Sequence, residues 1–313
     1  MKFLKRILLG VLIIYVLALM IDVFISKSFL RSSLFEGELN TWNDIYNKKI
    51  DEDLVIYGSS RSYVHLNPIV LDKELKLNSY NLGFNGQKIE LQKFRHDELI
   101  SIGSHPKNVI INLDITSLEK ARVFNPEQFI PLMLYRKSIY DIVGKELEFN
   151  YFDLYFPMIR YRKFKYQKVD VLKELYKIYF YSNYHNNGRV KGFRGMNYSW
   201  KERLYKPNFI EVDSLRKQDL FLIIEDLQKL NTSVILINSP EYIAQIESQI
   251  NRNEVIKLYK SISEKYNIPF IDYSNDSMNY QKNLFYNSNH LNAKGADIFT
   301  KKLAEDIKPY IKR

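Results

Sequence analysis

A serine placed just past a buried strand can lift its hydroxyl above the edge of a sheet. Residues 53–68, DLVIYGSSRSYVHLNP, offer two such serines. Leu54-Val55-Ile56-Tyr57 reads as a strand covered on both faces. Gly58-Ser59-Ser60-Arg61 follows as a small, polar turn opening a helix, and Asn67-Pro68 marks the next helix start. In such a turn the N–H groups of the serine and its neighbours point at a developing oxyanion. Ser60 is therefore a candidate nucleophile, although small polar turns after strands also occur without chemistry. A second block, YNLGFNGQ (80–87), puts Gly83 and Gly86 after another strand, where glycine lets backbone approach a ligand. It is neither a dinucleotide fingerprint nor a P-loop. A third block, FYNSNHLNAKGADIF (285–299), places His290 at a loop-to-helix junction with Asn292 as the expected N-cap. His65, His96, His105 and His185 show no spacing that suggests a metal and read as structural.

These groups need elements to position them. Apolar runs at 54–58, 79–83, 108–115, 233–239 and 269–273 read as strands, none alternating cleanly. Helical patterns lie between and after them at 89–102, 212–230, 240–266 and 292–311. Strands alternating with helices predict an open α/β sheet. Residues 118–211 break the alternation and are too long for a crossover. They are rich in Tyr, Phe, Arg and Lys at 155–168 and 188–207. The expectation is a helical insertion over the carboxyl ends of the strands, either a cap with solvated cations or an aromatic, cationic groove for sugars and anionic polymers.

The chain has 313 residues, a formal charge of +10 and no cysteine. It can hold one large α/β domain with an insertion, and its surface is basic, which suits anionic partners. The cysteine count excludes disulfides, a thiolate nucleophile and a Cys-based metal site. No nucleic-acid recognition motif is present, and none of the blocks calls for a metal or cofactor. Residues 7–25, ILLGVLIIYVLALMIDVFI, follow Lys2, Lys5 and Arg6 and span about 29 Å as a helix. They read as an uncleaved anchor, with a cleaved signal peptide as the alternative. The positive flank stays in the cytoplasm and the main domain faces outward. Asp22, near the far end, is expected to reach the headgroups. The predicted organisation is an anchor over 1–28, a linker over 29–50 and an α/β domain over 51–313, interrupted at about 118–211.

Taken together and in order, the three blocks resemble the SGNH/GDSL hydrolase family over roughly 50–117 and 230–312. That resemblance implies a flavodoxin-like three-layer sandwich with a parallel five-stranded sheet and a Ser–His–Asp site for acyl transfer. Carried over by position, Ser60 is the nucleophile, Gly86 an oxyanion donor and His290 the base. Two positions depart. Asn287 stands where the family has its acidic partner, and Asp114, in Asn112-Leu113-Asp114-Ile115, falls on the position of an oxyanion Asn. An amide can accept from Nδ1–H through its oxygen. Turned the other way, it would leave Nε2 protonated and useless as a base. Asp114 and Asp272 are the alternative acidic partners.

The anchor and topology are similar to those of teichoic-acid D-alanyl transfer proteins and of SGNH-like alginate and peptidoglycan O-acetyltransferases. The resemblance implies an esterase or O-acyltransferase working on a cell-envelope glycan, beside a multi-spanning membrane acyltransferase. The alternative is an inactive glycan-binding or scaffold protein on the same fold.

Overall fold

The computed structural model describes residues 2–47, 50, 52–133, 137–164, 170–181, 188–201 and 206–313. Asp51 (the expected start of the α/β domain), His185 and residues 165–168 of the aromatic stretch lie outside the described residues. In chain order the elements are α1 (Lys2–Phe29), α2 (Leu34–Tyr46), β1 (Leu54–Gly58), α3 (Ser60–His65), α4 (Pro68–Leu75), β2 (Ser79–Asn81), α5 (Ile89–Ser101) and β3 (Asn108–Asn112). The middle of the chain holds α6 (Lys137–Val143), α7 (Tyr151–Tyr155) and α8 (Val171–Phe180). Then come α9 (Ser214–Lys229), β4 (Ser233–Asn238), α10 (Ile243–Glu247), α11 (Arg252–Tyr266) and β5 (Phe270–Asp272). The chain closes with β6 (Phe285–Asn287), β7 (His290–Leu291) and α12 (Ala293–Ile307).

Two compact units emerge. The first joins Met1–Asn43 to Arg122–Asn187, and the second joins Asp44–Ala121 to Gly188–Arg313. The expected anchor thus shares a unit with most of the expected insertion. The end of that insertion belongs to the second unit for a specific reason: its backbone is stitched to the sheet. Asn81 N–H donates to Lys191 O at 2.9 Å, Arg194 N–H to Tyr63 O at 3.2 Å and Lys201 N–H to Tyr286 O at 2.8 Å.

The second unit is a five-stranded sheet in the order β2-β1-β3-β4-β5, with every pairing parallel. This is the α/β architecture that the strand runs predicted. Alternate residues face opposite layers. Leu54, Ile56, Ile110 and Ile235 pack into a core with Phe299 and Leu303 of α12. On the other side Tyr57 reaches α5, its hydroxyl 3.1 Å from His96 Nδ1. Residues 240–266, read as one helical stretch, are split into α10 and α11. Residues 285–291, read as a loop, form a small antiparallel hairpin.

In the first unit, α1 is the one described helix long and apolar enough to cross a membrane. Its side chains from Phe3 to Ile21 are largely exposed, while its last turns are buried. Asp22 does not reach outward as expected. It is fully buried and takes a two-pronged ion pair from Arg160, at 2.5 and 2.6 Å. Met158 N–H and Ser26 Oγ–H also donate to it, at 2.7 and 3.0 Å. A carboxylate at the end of an apolar helix needs such compensation, because an unpaired buried charge costs several kcal/mol.

Candidate active site

β1 ends at Gly58 with φ +144, a conformation closed to other residues, and a Cβ there would lie 2.9 Å from Asn112 O. The chain can therefore turn sharply out of the sheet. Ser59 caps α3, its Oγ accepting from Arg61 N–H at 3.2 Å. Ser60 is the first residue of α3, so its own N–H has no acceptor within the helix. β1 sits between β2 and β3, so the direction of winding reverses here, where open α/β sheets bind ligands.

The hairpin β6–β7 carries His290. His290 Nε2 lies 2.9 Å from Ser60 Oγ, and Nδ1 lies 3.0 Å from Asn287 Oδ1. The turn settles which way the amide points. Asn287 Oδ1 also accepts the N–H groups of Asn289 and His290, at 2.9 and 3.0 Å. Turned over, its NH₂ would face two donors. With the oxygen held toward the ring, Nδ1 carries the proton and Nε2 is left to accept from Ser60. Tyr286 stacks on the imidazole, ring centroids 5.4 Å apart and nearly coplanar.

Gly86, at φ +71, lines the same cavity of about 260 Å³ as Ser60 and His290. The cavity also takes in Arg61, Asp114, Glu241, Gln245 and Gln249. Asp114 does not act as the donor expected at its position. It accepts from the Ser59 hydroxyl, and its Oδ1 lies 3.4 Å from Arg61 Nη1. Nor is it an acidic partner of the histidine. Asp272 is not one either: its Oδ1 accepts Ser274 N–H at 3.0 Å and Ser274 Oγ–H at 2.6 Å.

Sequence reading missed the buried ionic group behind Ser60. Arg61 also lies 3.4 Å from Glu241 Oε1, and Glu241 Oε2 takes Arg252 Nη1 at 2.6 Å. Burial alone would push the Glu241 carboxyl up, but Arg61 and Arg252 outweigh it and hold it below the ordinary range. His65, read as structural, is buried beneath the hairpin. Its Nε2 accepts Leu291 N–H at 3.0 Å, so Nδ1 donates to Ser239 Oγ at 3.1 Å. Burial, then Arg61 and His290, hold this imidazole well below its ordinary range. It is a neutral strut under the hairpin. Elsewhere, His96, Asp97 and Asp226 bring candidate ligand atoms within 4.8 Å of one another, a grouping that spacing did not suggest. Tyr57 already engages His96 there.

No family model and no curated protein matches this chain. Among solved structures, it is similar to a protein of Desulfitobacterium hafniense described as lipolytic and of the G-D-S-L family. That likeness has a TM-score of 0.41 and 13% identity, covering 81% of this chain and 98% of the other. It is also similar to a Bacteroides fragilis protein described as an acylhydrolase, with a TM-score of 0.40 and 11% identity, covering 86% and 97%. These likenesses are remote, and the chemistry here is read from the site itself.

Proposed function

We propose that this chain is a membrane-anchored, outward-facing SGNH-like esterase or O-acyltransferase. It moves an acyl group, most simply acetyl, off or onto a hydroxyl of a cell-envelope glycan. The observation that carries this reading is the relay Ser60–His290–Asn287, with the amide held so that Nε2 is basic. Ser60 Oγ attacks the acyl carbonyl while its proton passes to His290 Nε2. The N–H groups of Ser60 and Gly86 receive the oxyanion, such a donor contributing about 3 kcal/mol. The intermediate collapses, the leaving oxygen takes the proton from Nε2, and the acyl group stays on Ser60. Water or a sugar hydroxyl then adds by the same steps in reverse, and Ser60 is restored. A polar cavity suits a hydroxylated substrate. The basic N-terminal flank supports a cytoplasmic N-terminus. A multi-spanning membrane acyltransferase fits as the acyl supplier.

Asp114 favours a second reading, a glycan-binding protein on the same fold, because a carboxylate beside the nucleophile opposes an oxyanion. A fluorophosphonate probe separates the two. The full-length protein in detergent micelles is expected to be labelled, and Ser60→Ala and His290→Ala are not. Equal labelling of wild type and Ser60→Ala, or none in either, overturns the enzymatic reading. The whole chain is needed because trimming α1 would strip Arg160 of its partner.

A further inference from the structure

Two helices of the first unit bury a carboxylate and leave most of their aromatic rings outside. α7 keeps Asp153 fully buried, where it completes a capping box and meets Arg162 at 2.8 Å. Its Tyr151, Phe152 and Tyr155 stay outside, Phe152 at 61% exposure. α8 likewise buries Glu174, bonded to Ser32 Oγ–H, beside Ile178, and turns Leu172, Tyr176 and Phe180 outward, Phe180 at 73%. Their spacing of four residues stacks these three on one face. A helix bathed in water does the opposite, since each large apolar side chain left in water forgoes about 1.5–3 kcal/mol. Carboxylates inside and aromatic rings outside mark a surface whose surroundings are not water.

α8 packs along α1, and the C-terminal end of α7 meets it. Tyr15 Oη–H donates to Tyr155 O at 2.9 Å, and the Tyr15 ring meets Phe156 edge-on. Further along, Phe24 stacks on Tyr179, and Ser28 Oγ lies 2.9 Å from Tyr179 Oη. A hydrocarbon core of about 30 Å that begins after Arg6 extends about twenty residues, to the level of Ser26. Tyr15 and Phe24 both fall inside that span. The ends of α7 and α8 that meet α1 therefore lie at depths within that span.

We propose that α7 and α8 lie in lipid, in the leaflet that receives the C-terminal half of α1. Their aromatic faces meet acyl chains and the headgroup boundary. The chain is then held by a broad interfacial footprint in addition to a single span.

This inference rests on reading α1 as membrane-spanning, and the test separates the two. The chain has no cysteine, so single cysteines report one site each. Leu12→Cys, Phe152→Cys, Phe180→Cys and Lys260→Cys would be placed in the full-length protein and labelled with an environment-sensitive dye. Each would be reconstituted in phosphatidylcholine–phosphatidylglycerol vesicles carrying doxyl quenchers at shallow or deep acyl positions. The labels at 12, 152 and 180 are expected to be quenched several-fold more by doxyl lipid than by aqueous iodide, and the label at 260 the reverse. Lipid quenching at 12 with iodide quenching at 152 and 180 overturns this inference alone, and leaves those faces to a protein partner. Iodide quenching at 12 overturns the anchor as well.

Discussion

Replacing Asn287 by aspartate tests the relay more sharply than deleting it. An aspartate there accepts the same three donors, the N–H groups of Asn289 and His290 and the ring Nδ1–H. It adds a full negative charge beside the imidazolium that forms when Ser60 attacks. Two unit charges about 4 Å apart interact by about 4 kcal/mol at an effective dielectric near 20. The imidazole is half-exposed on the cavity wall, so solvent screens much of this. About 1–2 kcal/mol is a fair remainder, or roughly tenfold in kcat. The assay is p-nitrophenyl acetate turnover by the full-length protein in micelles, across the neutral pH range. Asn287→Asp is expected to raise kcat about tenfold and to move the acid limb upward by about one pH unit, because the base is then harder to deprotonate. Asn287→Ala is expected to lower kcat about 100-fold, since the ring loses the contact that selects its tautomer. Full turnover in Asn287→Ala, or an unmoved limb in Asn287→Asp, would refute the role given to this amide.

Other perturbations have equally definite outcomes. Gly58→Ala forces a Cβ against Ser62 and Asn112 O at φ +144, and should cost about 3 kcal/mol in urea unfolding. His65 binds fewer protons folded than unfolded below its ordinary value of 6.5. The stability tied to its neutral form is thus complete above that pH and is lost progressively as pH falls beneath it. His65→Gln should flatten that decline in urea midpoints measured against pH, and an unchanged slope would contradict the assignment. In the first unit, Asp22→Ala strands the Arg160 guanidinium and should cost about 4 kcal/mol, seen as faster proteolysis in micelles. Adding Arg160→Met should recover most of that loss.

How legible the fold was depends on the physics of each element. β1, β3 and β4 announce themselves because a strand covered on both faces must be apolar throughout. β2 and β5 have three residues each and emerge from the alternation with helices more than from their own pattern. α3 has six residues and no periodicity to detect, and the hairpin carrying His290 has strands of three and two residues. Ser60, Gly86 and His290 were legible as candidates because small residues after strands and a histidine before a helix recur in recognisable order. The orientation of Asn287 was not legible, since two backbone N–H groups in its turn decide it. The ionic group of Arg61, Asp114, Glu241 and Arg252 could not be read either. Its members come from four separate segments and carry no common spacing.

The chain's two units are interleaved along it, and that sets an order of assembly during synthesis. Residues 1–43 are made before 122–187 and must wait for them before Asp22 meets Arg160. Meanwhile β1, β2 and β3 have been made and stand as three of the five strands, because β4 and β5 are encoded beyond that second segment. The first unit can therefore close while Ser60 still lacks its histidine. Ser60 and His290 can meet only after residue 290 has been made, by which time both segments of the first unit are already in the chain.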